Sequence, residues 1–77
     1  MEKETNKPVD EVKLGSIVAS IWKNQSNGRT FYNVTFSRIY KDDDGWKRTE
    51  SFGRDDLLVL AKVADLAHTK TFELGKE

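Results

Sequence analysis

The sequence predicts an α+β fold: a curved antiparallel β-sheet of three to four strands, followed by one C-terminal amphipathic helix and assembled as a homodimer. Three observations lead there. Two turn signals, Asn27-Gly28 and the run from Lys41 to Gly45, separate segments in which apolar and polar residues alternate, as strands with one covered face do. After Gly53 the pattern changes to a long run of helix formers. That run carries more apolar surface than one small sheet can cover.

Residues 1–11 are polar and charged and include the only proline, Pro8, so they read as a flexible arm. The folded unit is expected over 12–68, and 69–77 as a frayed tail. Within the unit, "VKLGSIVASIWKN" is rich in β-branched residues and reads as one strand. It runs into Asn27-Gly28, the strongest short signal for a type I′ hairpin. With those two residues as the loop, Ile21 faces Val34, Ala19 faces Phe36 and Ile17 faces Arg38. The second hairpin is read through "KDDDG" as a loop of about five residues, which aligns Tyr40 with Trp46 and Val34 with Phe52.

Because side chains alternate across a strand, these registers collect Ile17, Ala19, Ile21, Tyr32, Val34, Phe36, Tyr40, Trp46 and Phe52 on a core face. The other face collects Val18, Ser20, Trp22, Phe31, Asn33, Thr35, Ser37, Ile39, Lys47, Thr49 and Ser51, a hydroxyl-rich surface with a few aromatics. The helical run, "GRDDLLVLAKVADLAHT", is capped by Asp55 or a neighbour and opens on acidic residues that complement its dipole. Only Lys62, Asp65 and His68 interrupt its apolar residues. A helix apolar over so wide an arc is buried on more than one side, which assigns Leu57, Leu60, Ala61, Ala64 and Leu66 to a dimer interface.

Composition narrows the function. The chain has no cysteine, so disulfides and thiolate metal sites are excluded, and no run approaches the roughly 18 apolar residues of a membrane span. A cytoplasmic location is the default reading, with no membrane partner. His68 is the only histidine, which leaves no Cys-His pair and makes a helix-end role the better reading for it. Asp42, Asp43, Asp44 and Gly45 superficially resemble a calcium loop, but the acidic residue expected at its last position is missing, since Ser51 stands there. The glycines are scattered at element ends and form no phosphate loop. The expectation is a non-catalytic protein with no cofactor and no metal.

The 13 basic and 13 acidic residues cancel, yet the sheet region holds Lys13, Lys23, Arg29, Arg38, Lys41, Lys47, Arg48 and Arg54 against Asp42, Asp43, Asp44 and Glu50. Binding of single-stranded nucleic acid needs flat rings for bases to stack on, cations for phosphates and small polar side chains between them. The open face supplies these through Trp22, Phe31, Asn33 and Lys47, with Lys13, Lys23, Arg29, Arg48 and Arg54 near its edges. The structural alternative is that Trp22 and Phe31 cap the hairpin, or that a partner subunit covers the face. Tyr40 and Trp46 read better as a cross-strand pair that holds a hairpin together.

The order of a curved antiparallel sheet and one amphipathic helix, over about Val12 to His68, resembles the PC4-like, Whirly-like and Pur-like single-stranded DNA-binding domains. In those families the basic and aromatic strands meet nucleic acid while the helix supports the dimer. The phrase "RIYKDDDGWKRTESF" also looks like a hairpin of bacterial single-stranded DNA-binding proteins with the OB-fold, although this chain is too short for a five-stranded barrel and ends in a helix. The string from "GSIVASIWKN" to "LAKVADLAH" further looks like a group of small bacterial proteins, a likeness that supplies no function. The resemblances thus imply a dimeric module that binds single-stranded nucleic acid, DNA ahead of RNA, with low sequence specificity. The alternative is an interaction module that docks a polypeptide on its sheet.

Overall fold

Three tight turns set the strands, and each contains a residue suited to positive φ. The computed structural model describes residues 3–4 and 7–75. The elements run β1 (Lys3–Glu4), β2 (Asp10–Leu14), β3 (Ile17–Ser26), β4 (Arg29–Asp42), β5 (Gly45–Thr49), a 3-10 turn (Arg54–Asp56) and α1 (Leu57–Leu74). All pairings are antiparallel: β3 lies between β4 on one side and β2 and the short β1 on the other, and β5 flanks β4. The sheet is therefore four strands wide, with one C-terminal helix, an α+β fold. No helix among the described residues is long and apolar enough to cross a membrane.

Asn27 at φ 54° and Gly28 at φ 76° form the first expected turn, since a type I′ turn needs positive φ at both central residues. The β3–β4 register follows as expected, with Ile21 paired to Val34, Ala19 to Phe36 and Ile17 to Arg38. The other two turns correct the sequence reading. The segment read as one strand is two, β2 and β3, reversed at Gly15-Ser16; Gly15 takes φ 62° at the first loop position, as a type II′ turn requires. The Asp-rich loop is tighter than five residues. Asp42 Oδ1 accepts the Asp44 N–H at 2.9 Å, and Gly45 takes φ 119° directly after, so Asp42 pairs with Gly45, Lys41 with Trp46 and Tyr40 with Lys47. This one-residue difference moves Trp46 off the core face and Lys47 onto it.

The helix packs on the face that bears Ile17 and Ala19. Val63 and Ala67 are buried against these and Val12, while Val34, Phe36, Phe52, Val59 and Leu60 pack around them. Polar contacts at both ends set the helix along the sheet. At its start, Arg38 Nε donates to Ser51 O at 3.2 Å and lies 3.4 Å from Asp56 Oδ2, which also accepts the Gly53 N–H at 2.8 Å. Asp56, rather than Asp55, thus organises the helix entrance. Towards its end, Lys70 Nζ lies 3.0 Å from Asp10 Oδ2 on β2, and the Tyr32 hydroxyl donates to the Leu74 carbonyl at 3.4 Å.

These last contacts explain why the helix outlasts its expected end. The tail expected from Thr69 is helical to Leu74, and His68 stands inside the helix with its ring edge-on to Phe72 at 4.8 Å. The arm expected over 1–11 likewise supplies strand backbone at Lys3–Glu4 and from Asp10. Residues 1, 2, 5, 6, 76 and 77 of the arm and tail lie outside the described residues.

Two outcomes test this packing. Ile21 is fully buried, so Ile21→Ala is expected to cost about 2–5 kcal/mol, comparable with the ~3–5 kcal/mol that a core this small supplies; loss of the cooperative thermal transition checks it. The Lys70 ammonium, aided by the Glu11 N–H, holds the Asp10 carboxyl below its usual 3.8. The pair therefore stabilises the fold above that value, and its contribution is lost as pH falls through the lowered one. Asp10→Asn is expected to cost no more than about 1 kcal/mol at neutral pH for a pair this exposed, with urea midpoints converging with wild type in strong acid.

Candidate nucleic-acid interface

The face opposite the helix is built from alternate residues of four strands, β2 to β5. Pairing places Trp22 beside Asn33, Asn24 beside Phe31, Ser20 beside Thr35 and Val18 beside Ser37. Further along, Ile39 pairs with Arg48 and Lys41 with Trp46, while Lys13 of β2 pairs with Val18. Trp22 leans along the sheet, its indole N–H donating to Thr35 Oγ1 at 2.9 Å. Phe31 is 39% exposed and stands across from buried Asn24. Between the two ends runs a shallow recess lined by Ser20, Trp22, Thr35, Ser37, Arg48 and Thr49, with Arg48 Nη1 donating to Ser37 Oγ at 3.4 Å and Glu50 on its border.

The other end of the face carries Trp46, which the sequence reading places on the core face. Trp46 is 72% exposed, and Lys41 Nζ stands 5.8 Å from its ring centroid, within the range of a cation–π contact. A second open recess of about 390 Å³ brings Trp46 together with Lys13, Ile39, Lys47 and Arg48. Trp22 and Trp46 are paired to Asn33 and Lys41, so they stand about 27 Å apart along β4 at ~3.4 Å per residue. Aromatic rings thus bracket a floor of hydroxyl side chains.

The expected site residues divide. Trp22, Phe31, Asn33, Arg29 and Arg48 belong to this face by strand parity. Lys23 and Arg54 do not, and Lys47, which borders the Trp46 recess, sits on the helix side by parity. Lys47 shares the helix-side face with its partner Tyr40 and lies 3.7 Å from Asp42 and 3.8 Å from Asp44, so its charge is matched by the hairpin's own carboxylates. Lys23 pairs with Tyr32 on the helix side, in a recess with Leu74, and Arg54 is in the 3-10 turn that leads into α1. The residues missed are Trp46 and Lys41, which join Lys13, expected near the edge, and Ile39, expected on this face. The signal that finds them is Gly45, whose positive φ admits a turn tighter than the spacing of "KDDDG" suggests.

The expected dimer residues also separate. Leu60 packs against the protein's own core and Ala64 is half-buried, whereas Leu57, Ala61 and Leu66 are exposed. Leu58, outside that set, is 85% exposed.

No protein family, curated protein or solved structure matches the chain.

The placement of Trp46 has a direct optical test. In Trp22→Phe, which leaves Trp46 as the only tryptophan, emission is expected to be that of a water-exposed indole. Iodide is expected to quench it more than caesium does, because Lys41 and Arg48 concentrate anions beside it. Blue-shifted, poorly quenched emission would return Trp46 to the core.

Proposed function

We propose that the protein is a non-catalytic module that binds single-stranded nucleic acid, DNA ahead of RNA, with low sequence specificity and as a homodimer. The observation that carries this reading is the exposed Trp46 on the same face as Trp22 and Phe31, accompanied by Lys13, Lys41 and Arg48. Bases stack on any flat ring regardless of identity, which gives binding without sequence readout. Lys41 occupies one side of the Trp46 ring and leaves the other for a base. The hydroxyl and amide side chains of Asn33, Thr35 and Ser37 are small enough for a strand to lie close and polar enough to replace its water. The cations number only a few, and Glu50 lies among them, so the electrostatic contribution is modest.

A second reading, docking of a polypeptide by strand addition, is favoured by one observation. Beyond its pairing with β5 at Arg38–Asp42, β4 has no strand on its outer edge among the described residues. The two readings differ in salt dependence, since phosphate contacts release counterions and an edge pairing does not.

Titration of a labelled mixed-sequence oligonucleotide by fluorescence anisotropy at two salt concentrations distinguishes them. Micromolar or tighter binding that weakens with salt is expected. Trp46→Ala and Trp22→Ala are each expected to lose about 1–3 kcal/mol of binding, the former with no change in melting temperature. Arg48→Ala is expected to lower the logarithmic salt slope by about one. Absence of binding to DNA and RNA at low salt would reject the reading.

A further inference from the structure

We infer that a second copy of this chain seats along the outer edge of β4, pairing antiparallel with the same strand about a two-fold axis at Asn33. The inference rests on the dimeric part of the reading above and not on its nucleic-acid part. Its first support is the edge itself. In a hairpin closed by Ser26 and Arg29, the odd residues of β4 bond to β3, so Thr30, Tyr32, Val34 and Phe36 aim their N–H and C=O groups outward. Among the described residues no backbone bond outside β4 takes up these groups.

The second support is composition. Edge strands are ordinarily blunted by charge, proline or a bulge. The outer strands β2 and β5 follow that rule, with Asp10, Glu11 and Lys13 in one and Lys47 and Arg48 in the other. The free stretch of β4, Arg29–Ser37, carries one charge, Arg29 beside the turn, and the rest of it, "TFYNVTFS", has no charged residue, no proline and no glycine. Such a strand is either covered or it aggregates.

The identity of the cover follows from symmetry. A two-fold axis normal to the sheet keeps both faces in register only if it passes through a residue position, and Asn33 is the centre of the free stretch Arg29–Ser37. Tyr32 then faces Val34 of the copy and Thr30 faces Phe36, aromatic against β-branched, a favourable class of cross-strand pair. Asn33 meets its own equivalent in a non-hydrogen-bonded pair.

The same axis serves the helix. Lys70 reaches Asp10 of β2, so the opposite flank of α1, which carries Leu57, Ala61, Ala64 and His68 at helical spacing, is turned towards β4. A helix that packs on β2 and β3 together stands about two strand spacings, ~10 Å, from the axis. Two helices would run ~19 Å apart, well beyond the ~8–10 Å of direct packing, so Leu57, Ala61 and their equivalents border an open trough above Val34 and Phe36, and the strand pairing carries the contact.

The test uses the absence of native cysteine. Cα atoms of a non-hydrogen-bonded antiparallel pair lie about 4.5 Å apart, inside the disulfide range. Wild type is expected to sediment at twice 8.8 kDa, and Asn33→Cys to cross-link into a covalent dimer under mild oxidation while Lys62→Cys, on the exposed helix surface, stays largely uncoupled. In wild type the amides of Tyr32 and Val34 are expected to exchange slowly. Trp46→Ala leaves the dimer mass unchanged, so failure of nucleic-acid binding and failure of this inference are separate results. A monomer at every concentration would overturn it. So would a dimer with fast-exchanging Tyr32 and Val34 amides, or one that cross-links through Ala61→Cys but not Asn33→Cys.

Discussion

The left-handed pair Asn27-Gly28 is the constraint on which the rest depends. Both residues sit at positive φ, where the twist of the turn matches the twist of the flanking strands. The pair fixes a ten-residue register between β3 and β4, and with a side-chain period of two that register decides every face assignment in those two strands. Ile17, Ala19 and Ile21 go to the helix; Trp22, Ser20 and Val18 go to the opposite side. Moving the turn by one residue would exchange the two sets and leave Val63 and Ala67 with polar residues beneath them.

From that turn the core assembles with few choices left. The helix meets β2 and β3 through small and β-branched residues, and its two ends are tied by Arg38 with Asp56 and by Asp10 with Lys70. The result covers the sheet unevenly. Tyr32, Val34 and Phe36, on the same side, remain half-exposed, and the apolar flank of the helix overlooks them. The face away from the helix is uneven in a different way: a hydroxyl-lined floor lies between aromatic residues at its two ends, with cations gathered near Trp46.

How much of this was legible in the sequence depended on how many conformations each turn admits. Asn-Gly leaves little choice, and the β3–β4 register was read correctly from it. The run of three aspartates before Gly45 admits loops of several lengths, and the carboxylate of Asp42 selects the shortest by capturing the Asp44 N–H, which moved Trp46 and Lys47 between faces. Gly15-Ser16 was a turn signal hidden inside an apolar run, because the residues on both sides of it have strand character. The helix end was missed for a tertiary reason: Thr69 and Thr71 are poor helix formers, and the contacts of Lys70 and Leu74 with β2 and β4 that outweigh them are not visible in a local window. Leu57, Ala61 and Ala64 were recognised as excess apolar surface. Their orientation relative to the sheet required the Lys70–Asp10 contact.

The strand order carries a consequence for how the chain acquires its structure. β2, β3, β4 and β5 pair with their sequence neighbours, so the sheet forms through short loop closures of the kind that fold quickly. The helix must then return across a far longer span, as the bond between Tyr32 and Leu74 shows. During synthesis the sheet leaves the ribosome before the segment that covers it, and Ile17, Ala19 and Ile21 stay open to water for that interval. That open apolar face makes prompt arrival of the helix a safeguard against aggregation.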